Sequence, residues 1–161
     1  MNEADTRAYL ELVFASDLHG HPLLSNNSKW INFILVKNAR WSFENVVLIG
    51  DALHTAHFSI GSGTKLAMED AIALAGSFQR HHDVITALLE FESNRKPYIE
   101  EYQAAALESM LWFENVRQSL RLSPIELAYS LMMRSGRVDH EELKIRDAAF
   151  VAAYEKAVSR T

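Results

Sequence analysis

Val46-Val47-Leu48-Ile49-Gly50-Asp51-Ala52-Leu53-His54, continued by His57-Phe58-Ser59-Ile60-Gly61-Ser62-Gly63-Thr64-Lys65-Leu66-Ala67-Met68-Glu69-Asp70-Ala71, has the order of a strand, a loop and a helix. Val46 to Ile49 are all apolar and mostly β-branched, which predicts a short strand covered on both faces. Gly50-Asp51 ends that run and sets a carboxylate at its carboxyl end, where open α/β sheets hold their ligands. Gly61 and Gly63 let the backbone pass close to a bulky partner with no side chain between. The Leu66, Met68, Ala71, Leu74, Ala75 pattern starts a helix just beyond them, so its unpaired N–H groups and positive end point back into the glycine loop. That arrangement suits an anionic or electron-rich ligand.

The rest of the chain bounds the setting. With 161 residues, 48% of them hydrophobic, 23% charged and only 6 Gly and 3 Pro, it has the makings of one domain with a real core, not of a disordered segment. A formal charge of −5 argues against nucleic-acid or membrane-surface partners. No cysteine is present, which excludes disulfides, thiolate metal sites and a cysteine nucleophile. No apolar run approaches the ~18 residues of a membrane span, and Glu3 and Asp5 stand where a signal peptide needs a basic stretch. A cytoplasmic protein is expected.

Outward from the central stretch, residues 3–16 carry apolar residues at helical spacing, and the helix should end before Gly20. Asn32 to Lys37, with Phe33, Ile34, Leu35 and Val36, predict a second strand, which Glu44-Asn45 would turn into Val46–Ile49. Residues 64 to about 79 read as one helix. Val84 to Phe91 resume the period, Lys96-Pro97 mark a kink or boundary, and Tyr98 to about Leu120 form a long helix. Ser123-Pro124 with Glu126 is a helix start, the helix ending near Gly136, and a last helix runs from about Asp147 to Val158. The expected class is an α/β fragment, mostly helical, with two short strands and five or six helices. Two strands alone make a marginal sheet, so their partners are expected outside these residues.

At these residues the chain resembles the C-terminal part of the FAD-dependent aromatic hydroxylases, the single-component flavoprotein monooxygenases. Gly50-Asp51-Ala52-Leu53-His54 resembles their second FAD-binding motif, and Gly63-Thr64-Lys65-Leu66-Ala67 the start of the helix facing the flavin. His54 through Lys65, Gly20-His21 to Trp30 and the helical tail around Trp112-Phe113-Glu114 are similar to the branch acting on aromatic CoA thioesters, the salicylyl-CoA 5-hydroxylase and anthraniloyl-CoA monooxygenase type. The family's Gly-x-Gly-x-x-Gly opening and mid-chain Asp-Gly motif do not occur here. The resemblance therefore implies roughly the last two-fifths of a Rossmann-like enzyme that binds FAD and NAD(P)H, inactive by itself. It divides the chain into 1–45, the end of a substrate-domain region and lead-in strand; 46–80, the second FAD-binding motif; and 81–161, a C-terminal helical region.

What the resemblance implies residue by residue is specific. Gly50, Asp51, Gly61, Ser62, Gly63, Thr64 and Lys65 would bind the cofactor, Asp51 accepting from the FAD ribityl chain. The Gly63, Thr64 and Lys65 backbone N–H groups would face the flavin N1/C2=O edge. His57 and Phe58 stand where many relatives carry Pro-Pro, so the Phe58 backbone would face the substrate. His54, His57 and Phe58 are the candidates for the catalytic pocket, a histidine there positioning or deprotonating a ring substituent. The three-residue spacing of Asp51, His54 and His57 raises a metal reading, but an extended loop would not converge them, and no metal site is expected. The implied reaction uses NAD(P)H, FAD and dioxygen to hydroxylate an aromatic substrate held as a CoA thioester. Against this stands a non-enzymatic reading, a helical interaction module in which the Ala-rich helix from Tyr98 to about Leu120 bundles with a partner or, as a homo-oligomer, with itself. Glu69-Asp70 read as first-turn helix acids, His81-His82 as a solvated cap, and Arg117, Arg121, Arg134 and Arg137, which could meet CoA phosphates, as solvated helix faces.

Overall fold

A computed structural model describes residues 2–159. These divide into two compact units, the first ending at Phe33 and the second beginning at Ile34. The first holds α1 (Glu3–Val13) and the single turn α2 (Ala15–Leu18), neither of which has a buried residue. Polar ties to the following chain order it instead. Glu3 accepts the N–H groups of Asn26 and Ser28 at 3.1 and 3.0 Å, and the Trp30 indole donates to Thr6 at 2.8 Å.

The second unit is built on a helical hairpin, α3 (Gly63–Arg80) and α4 (Val84–Glu114), joined by three residues. Arg80 pairs with Glu90, Asp70 with Arg95 and Lys65 with Tyr102, so the two helices run antiparallel. Between them and the preceding loop lies the core of Trp41, Leu53, Ala56, Leu66, Phe91, Ile99, Tyr102 and Ala106. Then come the single turn α5 (Val116–Ser119), α6 (Pro124–Met133), α7 (His140–Arg146) and α8 (Ala148–Val158). Tyr129 of α6 stacks on Tyr154 of α8 at 3.7 Å and hydrogen-bonds His140 of α7, while Leu143 and Val151 are buried.

Several expectations hold. One helix covers the residues after the glycine loop. Ser123 and Glu126 form the reciprocal cap ahead of Pro124, and Glu44-Asn45 make a turn, Glu44 at φ 51°.

Others need correction. The strand at Val46–Ile49 shrinks to β2 (Val46–Val47), which pairs antiparallel with β1 (Ser42–Phe43), and it is not covered on both faces, because Val46 is 61% exposed. Asn32–Lys37 form no strand; Val36 instead exchanges hydrogen bonds with Thr55, and Gln103 donates to the Val36 carbonyl. In both places apolar runs satisfy the strand pattern, but among the described residues too few partner strands are present to extend a ladder. Pro97 lies inside α4 and does not end it. A proline removes one helical donor, but Phe91, Ile99, Tyr102 and Ala106 bury one stripe on both sides of it, and that packing carries the helix through. The described residues include eight α-helical segments, two of them single turns, where five or six were expected.

Candidate functional site

Asp70 is the centre of the site's support. It lies two turns into α3, on the stripe shared by Leu66 and Ser77, and its side chain is fully buried. Its carboxylate accepts from His54 Nε2 at 2.7 Å, Arg95 Nε at 3.0 Å and the Gly50 N–H at 3.2 Å. Burial pushes its pKa up, but hydrogen bonds from His54, Arg95 and Gly50 outweigh that and hold it below the ordinary carboxylate value. Arg95, from α4, also donates to the Leu66 carbonyl, pairs with Glu69 and lies over the Tyr98 ring. One carboxylate therefore joins both helices to both ends of the Gly50–His54 segment.

That segment is a 3-10 turn, Gly50–Ala52. Gly50 has φ +59°, a left-handed conformation that costs any residue with a Cβ about 1–2 kcal/mol. A Cβ there would also stand 3.4 Å from Ala67, one turn into α3. Asn38 closes the far end, donating to the Ala52 and Leu53 carbonyls at 3.2 and 2.6 Å. The outcome is a division within one short turn. Leu53 and His54 face inward, the His54 ring 6.0 Å from Trp41, whereas Asp51 is exposed.

A second 3-10 turn, Phe58–Ile60, follows, and Gly61 reverses the chain at φ +63°. The Phe58 ring is 72% exposed and lies 4.3 Å from the His57 ring. Ser62 stands at the N-cap of α3 without capping it, since its hydroxyl donates to the Ile60 carbonyl. The helical ladder begins with Leu66 N–H donating to the Ser62 carbonyl, so the exposed N–H groups of Gly63, Thr64 and Lys65 precede it. Gly63 has no positive φ, and a Cβ built on it meets nothing within 4 Å. The Lys65 side chain is engaged elsewhere. Its ammonium donates to the Tyr102 hydroxyl at 3.3 Å and pairs with Glu69, and these hold its pKa above the ordinary value.

The expected cofactor residues thus fall on two adjoining turns. Gly50 and Asp51 are on the first, and Gly61 to Lys65 are on the second with the helix end it feeds. Of the three pocket candidates, the His57 and Phe58 rings lie together, whereas His54 points into the core. Among the described residues no three His, Asp or Glu side chains gather as a metal site would need. Sequence reasoning missed the supports Asp70 and Arg95. Asp70 is not a first-turn acid but the eighth residue of α3. The available signal was its place four residues after Leu66 on the apolar face, where an unpaired carboxylate would be costly.

The chain is 42% identical over 154 residues to a salicyloyl-CoA 5-hydroxylase from a Streptomyces species, a match covering 94% of this chain and 29% of that protein. It is equally identical, over 137 residues, to a 3-hydroxy-4-methyl-anthranilyl-[aryl-carrier protein] 5-monooxygenase of Streptosporangium sibiricum, covering 84% of this chain and 38% of that one. The chain is homologous to the aromatic monooxygenases. A kynurenine 3-monooxygenase of Salinispora tropica is 36% identical over 108 residues, covering 66% of this chain and 22% of its own length. The chain thus spans about three-tenths of the length of the monooxygenases it matches. No family model matches it. Among the described residues no helix is long and apolar enough to cross a membrane.

Proposed function

We propose that the whole protein is a cytoplasmic FAD-dependent monooxygenase that hydroxylates an aromatic ring carried as an acyl thioester, with NAD(P)H as reductant. The observation that carries this reading is an exposed carboxylate, Asp51, on a turn hydrogen-bonded to buried Asp70 of α3, together with the uncapped, exposed N-terminal end of that same helix, Gly63 to Lys65. The residues fit the cofactor. Asp51 can accept from the sugar-alcohol hydroxyls, and three free backbone donors can meet an electron-rich carbonyl edge. A Cβ at Gly63 would meet nothing within 4 Å, so the backbone there is open to close approach by a ligand.

When bound, the flavin, reduced by NAD(P)H, supplies the oxygen-activating chemistry that protein side chains lack. This chain's part is to hold and orient. The α3 N–H groups stabilise negative charge on the ring edge, an effect of about 0.3–1 kcal/mol at an exposed helix end and up to ~2 when partly buried. Phe58 and Ile60, on the turn before Gly61, would border the substrate side and keep water from the reacting ring. His54 positions this machinery by linking the Gly50 turn to Asp70.

In this reading residues 46–80 carry the flavin motif and 81–161 the helical support. Residues 1–45 are the end of a substrate-domain region and its lead-in strand, and the two short strands border a Rossmann-like sheet. The matches to enzymes named for CoA-linked and carrier-linked aromatic substrates support the thioester. Reconstituting the full chain with FAD and supplying NAD(P)H and an aromatic acyl-CoA should yield a hydroxylated thioester. A chain that retains no flavin and makes no such product would overturn the proposal.

A further inference from the structure

Beside the glycine loop is a cavity of about 280 Å³ lined by Ile60, Ser62, Tyr102, Arg134, Arg137 and Arg146. Its charge stands out in a chain of formal charge −5. Arg134, at the C-terminal end of α6, is held by three neutral partners. It donates to the Ser59 carbonyl at 3.0 Å, the buried Ser109 hydroxyl at 3.0 Å and the Leu131 carbonyl at 2.7 Å. These leave two of its five N–H groups for a ligand. Arg137 lies over the Tyr102 ring, 3.5 Å from its centroid.

Among the described residues neither Arg134 nor Arg137 has a carboxylate partner. Of the acids nearby in sequence, Asp139 caps α7, Asp147 caps α8 and Glu142 pairs with Arg146, while Glu141 is exposed in the first turn of α7. Tyr102 feels the same field. Burial pushes its phenol up, yet hydrogen bonds involving Tyr98, Arg137 and Lys65 outweigh this and lower its pKa. The cavity is smaller than the ~300–1,000 Å³ of sites that enclose a whole drug-sized ligand, so it suits one group of a longer molecule.

We infer that the cavity lined by Arg134, Arg137 and Arg146 is a subsite for the phosphate ester of a phosphopantetheine thioester, whose acyl end extends past Ser62 and Ile60 toward the glycine loop. This rests on the thioester hydroxylase reading above. Arginine forks match phosphate oxygens in pairs, and the apolar Ile60 suits a pantetheine chain better than a second anion.

Calorimetric titration of the full chain with coenzyme A, pantetheine 4′-phosphate, pantetheine and inorganic phosphate tests it. The two phosphopantetheine compounds should bind. Pantetheine should bind at least about tenfold more weakly, and the phosphate-bearing ligands should weaken as salt rises. Arg137→Gln, at an exposed position, should lose about tenfold for the phosphate-bearing ligands and nothing for pantetheine, while Arg137→Lys recovers much of the loss. Wild-type-like affinity in Arg137→Gln, or inorganic phosphate binding as tightly as pantetheine 4′-phosphate, overturns the subsite. If thioester hydroxylation stands in that case, only the subsite falls. If the wild type hydroxylates no thioester, the reading beneath it falls too.

Discussion

His54 Nε2 and Asp70 Oδ2 lie 2.7 Å apart, both nearly sealed from solvent, and that contact ties the loop after the short hairpin to the long helical pair. Because Arg95 reaches the other carboxylate oxygen, the loop, α3 and α4 share one charge. Asp51 on the loop and the N–H groups of Gly63 to Lys65 on α3 are therefore held in fixed relation before any ligand arrives. That preorganisation is what the proposed flavin contact needs.

Asp70→Asn keeps the shape of the side chain but removes the buried counter-charge of Arg95, leaving it only the partly exposed Glu69. Breaking a buried pair from one side costs about 3–5 kcal/mol, on the order of 6–20 °C in Tm for a chain of this size. Thermal unfolding should show a loss in this range, and a Tm within a degree of wild type would mean that the pair contributes little.

The same carboxylate sets a pH dependence. Its folded pKa lies below the ordinary value, so the fold holds the ionised form more tightly than the unfolded chain does. The contribution is full above the unfolded pKa of about 3.9 and is lost as pH falls through the lower folded value. Between pH 6 and pH 3, wild type should lose more stability than Asp70→Asn. Parallel acid-denaturation profiles would exclude Asp70 as a source of acid sensitivity.

Asp51 is exposed and, among the described residues, no hydrogen bond or ion pair ties its side chain to the fold, so Asp51→Ala should leave Tm unchanged. In the full chain it should weaken FAD retention by about 1.5–3 kcal/mol, on the order of 10- to 150-fold in Kd, as a charged acceptor is lost. Flavin content after exhaustive dialysis measures this. Retention equal to wild type would remove Asp51 from the site.

The elements legible in sequence are those set by local chemistry. They include the helix after the glycine loop, the Ser123-Pro124 start and the Glu44-Asn45 turn. The elements that were not legible depend on distant partners. Val46–Ile49 has the composition of a buried strand, but only Ser42–Phe43 pairs with it. Pro97 marks a helix boundary locally, and long-range burial of Phe91 and Ile99 overrides it. The two turns proposed to face the cofactor were visible through their glycines and Asp51. Their anchor was not, because Glu69-Asp70 looks like a solvated acidic pair until the helix phase shows that one of the two faces the core. His140–Arg146 is short, with Leu143 and Ile145 as its two large apolar residues, so its period carried no signal.

The central claim is that the Gly61-Ser62-Gly63 backbone lies against a flavin. Gly63 occupies ordinary helical backbone with open space where a Cβ would be, so nothing in the fold itself requires glycine there. The decisive measurement is the flavin-to-protein ratio of full-chain Gly63→Val, taken with its Tm in the absence of FAD. We expect a Tm close to wild type together with little bound flavin, since the added side chain would enter the space assigned to the ring. Wild-type flavin stoichiometry and coupled hydroxylation in that variant would contradict the placement of this loop against the cofactor.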